Sequence, residues 1–226
     1  MPAPFTLVLE TSTPHASLGI ATADGGFCDR EFASDRHHNS LIFQPLEELL
    51  GDFPLEEIER VLVGSGPGSY SGTRVGIAAA QGVAIAAGCP AVAVPSLLAV
   101  PSAAAGNPCL IIGDARRGSF WTVHIAQNPL ADLPVLTDAD GLMFAVKAAL
   151  EQGHAVISLD AAAKFPSLGP LAEQVQVEFP TAAGLWRAWE RTAESTRAAW
   201  AAEPPQPIYL KPPHITAAKR PWLVPS

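Results

Sequence analysis

The feature that most narrows the fold is a run of small residues starting at Gly64. Val61-Leu62-Val63 reads as a short buried strand, and Gly64-Ser65-Gly66-Pro67-Gly68-Ser69-Tyr70-Ser71-Gly72 follows it directly. A helix is expected next, from about Thr73 to Ala87. Gly76, Ala78, Ala79, Ala80, Gly82, Ala84, Ala86 and Ala87 leave it almost without side-chain bulk. A glycine inside a helix costs about 1 kcal/mol relative to alanine, so Gly76 and Gly82 need an offsetting gain. Close packing supplies one, because small side chains let backbones approach. The neighbour is either another element of the same chain or the surface of a second protein.

The segments around this run have an α/β order. Residues 5–9, 16–21 and 27–32 read as three strands, the last two joined by the hairpin signal Asp24-Gly25-Gly26. Asn39 or Ser40 caps a helix through Leu41, Ile42, Leu46, Leu49 and Leu50, which Gly51 ends. After the small-residue helix come Gly88-Cys89-Pro90, a strand over 91–94, and a helix through Leu97, Leu98 and Val100. Strand, strand, strand, helix, strand, helix, strand indicates an α/β unit, closing near Gly106-Asn107-Pro108. Residues 109–113 and 119–126 then form a strand pair around Asp114-Ala115-Arg116-Arg117-Gly118. A strand, an acidic turn and a strand therefore occur twice, at Glu10 and at Asp114, as a faint internal repeat. Beyond Gln127 the expected elements are a helix over 141–150, a strand over 155–159 and an alanine-rich helix over 182–202. That last helix carries Trp186, Trp189 and Trp200 as core or interface anchors. Pro204-Pro205-Gln206-Pro207 is a rigid break, Ile208-Tyr209-Leu210 is extended, and the proline-rich end 211–226 lies on the surface or is loose.

Composition excludes several classes. A net charge of −8 without a long basic cluster argues against a principal nucleic-acid binder. Only 16% of residues are charged, which hints that a partner covers part of the surface. Cys28, Cys89 and Cys109 include no Cys-x-x-Cys pair, so neither a zinc site nor a disulfide framework is expected. The N-terminus lacks the basic start and apolar core of a signal peptide, and the apolar stretch near 77–87 is too short to span a bilayer. A soluble, cytoplasmic protein is expected, with no membrane contact.

Candidate chemistry is sparse. Residues 66–76 are neither a Walker A loop, since no Lys-Ser/Thr follows, nor a G-x-G-x-x-G turn. They either cradle an anion at a helix N-terminus or form a tight turn. Glu10-Thr11-Ser12-Thr13 could present hydroxyls and N–H groups to a phosphate, with Glu10 or Asp114 holding magnesium through water. Alternatively, both segments are ordinary hairpin turns. His37 and His38 are adjacent and point apart, and His-x-x-x-His spacing is absent, so no metal site is expected. No catalytic residue is nominated, because neither a Ser-His-Asp nor a Cys-His constellation has suitable spacing.

Taken together, these segments resemble the TsaB family, whose older name is glycoprotease-like. The resemblance rests on Leu7-Val8-Leu9-Glu10-Thr11-Ser12-Thr13, on Ala16-Ser17-Leu18-Gly19-Ile20, and on 36–45 with His38 near its start. It rests also on Gly66 through Gly76, where the family more often has Phe-Thr at Tyr70-Ser71, on Pro95-Ser96-Leu97, on 112–121, and on Pro207-Ile208-Tyr209-Leu210-Lys211. It implies an actin-like fold, shared with sugar kinases and Hsp70, of two similar mixed-sheet α/β lobes, 1–106 and 107–226. It also implies a role in making threonylcarbamoyladenosine in ANN-decoding tRNA. In that role the chain is the non-catalytic partner of TsaD, which transfers the threonylcarbamoyl group from its adenylate.

The resemblance further implies a heterodimer with TsaD, a TsaE-like ATPase joining the complex, self-association when TsaD is absent, and only indirect contact with tRNA. The interface would include Gly72, Arg74, Val75, Gly76, Ala79, Ala80 and Val83. ATP or ADP with magnesium at the complex would involve Glu10, Thr11, Ser12, Thr13 and Asp114. The family usually has Asp at the position of Glu10, and a longer carboxylate shifts metal–water geometry. The histidine pair that holds the metal in the catalytic relative is absent at that spacing. A stand-alone actin-fold ATPase or small kinase is the competing reading, and a glycoprotease ranks last.

Overall fold

The computed structural model describes residues 4–33, 39–126, 134–160 and 165–210. The first sheet comprises β1 (Phe5–Glu10), β2 (His15–Ala21), β3 (Phe27–Ala33), β4 (Ile58–Gly64) and β5 (Ala91–Val94), in the order β3-β2-β1-β4-β5. The second comprises β6 (Cys109–Arg116), β7 (Ser119–Ile125), β8 (Val135–Thr137), β9 (Ala155–Ser158) and β10 (Val175–Val177), in the order β10-β9-β6-β7-β8. Within each sheet the first strand of the unit is central. It pairs antiparallel with the next strand, at β1–β2 and β6–β7, and parallel with the fourth, at β1–β4 and β6–β9. The same five-strand plan is thus used twice, which is the actin-like fold. The faint repeat around Glu10 and Asp114 is its trace: both acids lie at the end of a central strand.

The helices are α1 (Phe43–Asp52), α2 (Tyr70–Ala87), the short α3 (Pro101–Ala104), α4 (Ala139–Glu151), α5 (Ala182–Arg191) and α6 (Glu194–Ala201). A central strand covered on both faces is apolar along most of its length, and β1 shows why at Leu7, Val8 and Leu9. Leu7 and Leu9 enter the core with Leu46 and Leu49 of α1 and Ile77 and Ala80 of α2, whereas Val8 enters the core with Leu185 and Trp189 of α5. The two halves exchange helical segments. Leu97, Leu98, Val100 and Ala103, which follow β5, pack with Ile111, Trp121 and Val123 of the second sheet. In return α5, which follows β10, packs on Val8, Leu62 and Val92 of the first. This exchange joins the sheets and sets the cleft between them.

Several elements differ from the sequence-based expectation. α2 starts at Tyr70, three residues early, because the Ser69 hydroxyl accepts the Gly72 N–H at 3.2 Å and caps it. The helix expected through Leu97 and Val100 is a 3-10 turn (Ser96–Ala99) followed by α3. Val100 is extended there, as the residue before a proline prefers. The single helix expected over 182–202 is two, α5 and α6. Thr192 leaves helical geometry at φ −74°, ψ 135°, while its hydroxyl donates to the Ala188 carbonyl at 2.7 Å. β8 and β10 were not expected at all; each has three residues. His37, His38 and 211–226 lie outside the described residues. Among those described, no helix is long and apolar enough to cross a membrane.

Candidate functional site: the inter-lobe cleft and the outer face of α2

The turn after β1, the loop entering α2 and the turn after β6 meet around a cavity of ≈ 500 Å³ between the sheets. Three glycines let the first two segments touch. A methyl group on Gly68 would sit 2.1 Å from the Ser12 carbonyl oxygen, and one on Gly72 would sit 2.3 Å from that of Thr11. On Gly76 it would sit 2.2 Å from the Thr11 hydroxyl. Across the contact the Ser69 N–H donates to the Ser12 carbonyl at 2.6 Å, and the Thr11 hydroxyl donates to the Gly72 carbonyl at 2.8 Å. The packing gain that Gly76 requires therefore comes from inside the chain.

Of the five residues expected around a nucleotide, three reach the cavity. Ser12, Thr13 and Asp114 line it, facing Trp121 and Asp160. The Thr13 hydroxyl donates to the His15 carbonyl at 3.1 Å. Asp114 is turned onto its own hairpin: Oδ1 accepts the Arg116 N–H at 2.7 Å, and Oδ2 lies 3.3 Å from the Arg116 guanidinium. Thr11 is committed to α2.

Glu10 lies behind the wall at 0% exposure. Its Oε1 accepts the Ser12 N–H at 2.7 Å, and its Oε2 lies where a side chain on Gly64 would stand, 1.9 Å from an ideal Cβ. Among the described residues Oε2 has no partner in good hydrogen-bond geometry, although the Ser12 and Ser96 hydroxyls lie near enough to favour its ionised form. The Ser96 hydroxyl meanwhile accepts the Gly66 N–H at 2.9 Å. Burial dominates and pushes the Glu10 carboxyl above the ordinary carboxylate range, with the nearby Ser12 and Ser96 groups pulling it back. Glu10 thus supports the glycine loop from beneath instead of facing the cavity.

The expected interface residues divide in the same way. Gly72, Gly76, Ala80 and Val83 are buried against their own sheet, and Val75 and Ala79 are half-buried. Arg74 is exposed and donates to the Tyr70 hydroxyl at 2.7 Å. The outward stripe of α2 runs instead through Arg74, Ala78, Gly82, Ile85 and Ala86. Ile85 is 83% exposed, and among the described residues nothing lies within 4 Å of a Cβ placed on Gly82. Ala78 and Ile85 were missed as outward positions. The signal was present: Ala78, Gly82 and Ile85 recur at helical spacing, two residues on from Gly76, Ala80 and Val83 and so on the opposite face of the helix. Tyr209, which stacks on Tyr70 at 5.5 Å, was missed because its partner is distant in sequence.

Residues 19–178 match the family described as TsaD: tRNA N6-adenosine threonylcarbamoyltransferase. An uncharacterized protein of Mycobacterium leprae is 31% identical over 80% of this chain and 49% of its own. The tRNA threonylcarbamoyladenosine biosynthesis protein TsaB of Haemophilus influenzae is 33% identical over 43% of this chain and 42% of its own. The TsaB protein of Escherichia coli is 30% identical over 52% and 54% respectively. The chain thus spans about half the length of these curated relatives. Among solved structures, YeaZ from Pseudomonas aeruginosa superposes with a TM-score of 0.66 at 20% identity, over 93% of this chain and 100% of that one, so the fold is shared. With the repeated sheet plan and the glycine loop, these matches place the chain in the family described as TsaD: tRNA N6-adenosine threonylcarbamoyltransferase, on its TsaB/YeaZ branch.

Proposed function

We propose that this chain serves the synthesis of threonylcarbamoyladenosine in tRNA as a non-catalytic partner of a TsaD-like transferase. The observation that carries this reading is Gly82. It stands in the interior of an 18-residue helix, where glycine costs about 1 kcal/mol relative to alanine, and none of the described residues occupies the space it leaves. Ala78 and Ala86 lie exposed on the same stripe and Ile85 projects beside them, so a second helix could approach the backbone closely there. Phe43, 61% exposed at the start of α1, adds apolar surface on the side of the first sheet that α2 covers.

The states of the acids favour a supporting role over catalysis. Glu10 is buried under the loop, and Asp114 is engaged by Arg116, so each would have to abandon existing contacts to hold a magnesium nucleotide. Nucleotide with magnesium accordingly belongs to the assembled complex, which a TsaE-like ATPase completes. The chain pairs with itself through the same stripe when TsaD is absent, meets tRNA only indirectly and works in the cytoplasm.

Reconstitution tests this reading. Transfer of the threonylcarbamoyl group to tRNA by the TsaD-like protein is expected to require this chain, whereas the chain alone gives no transfer and no ATP turnover. Full transfer without it, or steady ATP hydrolysis by the chain alone, would point to the stand-alone actin-fold enzyme instead.

A further inference from the structure

We infer that residues 204–210 are a strap that ties the outer surface of α2 to the inter-lobe cleft, with Tyr209 as its latch. The strap leaves α6, which packs beside β5, and reaches the loop that follows β4. There the Ile208 N–H donates to the Ser65 carbonyl at 2.8 Å, a single strand-like bond. The next residue, Tyr209, stacks on Tyr70 in the first turn of α2, with ring centroids 5.5 Å apart and planes 30° apart. Arg74, one turn further, donates to the Tyr70 hydroxyl at 2.7 Å and holds its guanidinium carbon 5.2 Å from that ring. Leu210 then lines the main cavity and packs on the core that contains Trp121.

Three consecutive residues therefore hold three different places: the loop, the helix and the cleft. A smaller space of ≈ 120 Å³ remains between the strap and residues 67–73, so the strap is fastened at points instead of packed along its length. Both tyrosines are about half exposed, so the stack can be broken from outside.

The coupling follows from Arg74. It opens the outward stripe of α2, and a carboxylate presented to that stripe competes with the Tyr70 hydroxyl for its guanidinium. Withdrawing Arg74 weakens the support of Tyr70, hence the Tyr70–Tyr209 stack, hence the seat of Ile208 and Leu210. Occupation of α2 is in this way felt in the cleft. The strap itself is a property of the isolated chain; only the coupling to a partner rests on the proposed function.

Residue-resolved hydrogen exchange on the full chain tests the strap. The Ile208 amide is expected to be protected in the wild type. Tyr209→Ala should raise its exchange by roughly fivefold to tenfold while amides of β1 and β6 keep their rates, and Tyr209→Phe, which keeps the ring and loses only the hydroxyl beside Arg74, should retain most of the protection. Arg74→Ala perturbs the latch from the other side and should raise the exchange of the same amide in a chain whose Tyr209 is intact. An Ile208 amide that exchanges freely in the wild type, or one unmoved by both Tyr209→Ala and Arg74→Ala, overturns the inference. A strap that responds as described in a chain that binds no TsaD-like protein supports the inference and sinks only the partner reading.

Discussion

Replacing either interior glycine of α2 by alanine should change stability with opposite signs. Both substitutions remove the backbone freedom of glycine and gain about 1 kcal/mol of helix propensity. At Gly82 none of the described residues lies within 4 Å of the new methyl group, so the gain stands alone. Gly82→Ala is expected to stabilise the isolated chain by about 1 kcal/mol, or roughly 2–4 °C in Tm for a chain of this size. At Gly76 the methyl group would lie 2.2 Å from the Thr11 hydroxyl oxygen and 3.4 Å from the Thr11 Cβ. Thr11 must turn away, breaking its 2.8 Å bond to the Gly72 carbonyl and leaving a buried hydroxyl unpaired. That loss is about 1–3 kcal/mol, which cancels or exceeds the propensity gain. Gly76→Ala should therefore be neutral to destabilising by about 2 kcal/mol. Urea unfolding of the two variants beside the wild type, followed by far-UV circular dichroism, reads the difference. Equal stabilisation by both would refute the close approach of Thr11 to α2.

The buried carboxyl gives a pH test. Glu10 is held above its ordinary 4.5 by burial, so it binds its proton more readily folded than unfolded. Its contribution is complete below pH 4.5 and is lost as pH rises through the folded value. Glu10→Gln should thus gain stability relative to the wild type between pH 4.5 and neutrality; a difference that stays flat would show that the carboxyl is not desolvated. On α2, Ala78→Glu should leave the unfolding midpoint within about 0.5 kcal/mol of the wild type, because the site is exposed. Ala80→Glu should lose several kcal/mol by forcing an unpaired charge into a fully buried position, and thermal scans separate the two. Burial pushes the Cys109 thiol up to about 12, so it should resist alkylation at neutral pH in the native chain and react once unfolded.

The parts of the fold legible in the sequence were those fixed by short-range signals. Continuous apolar runs marked β1, β4 and β6, and the acidic turns after two of them exposed the repeat. The small side chains of α2 announced close packing without saying against what. The chain itself supplies the answer on one side, through Thr11 beneath Gly76, and leaves the other side open at Gly82. Three-residue edge strands such as β8 and β10 carry too few positions to show a period.

Burial of Glu10 was not legible either. The space its carboxyl fills exists only because Gly64, on the neighbouring strand, has no side chain, and a linear reading cannot pair those positions. The exchange of helical segments between the sheets was hidden for the same reason: Trp189 and Leu62 meet across more than half the chain.

Co-elution of this chain with the TsaD-like protein of the same organism, by size-exclusion chromatography with light scattering, tests the central claim most directly. A stable heterodimer is expected for the wild type and for Glu10→Gln, with Ala78→Glu remaining folded and eluting alone. A wild-type chain that elutes alone beside its folded partner, or an Ala78→Glu variant that pairs with undiminished affinity, would contradict the assignment of the outer face of α2 as the docking surface.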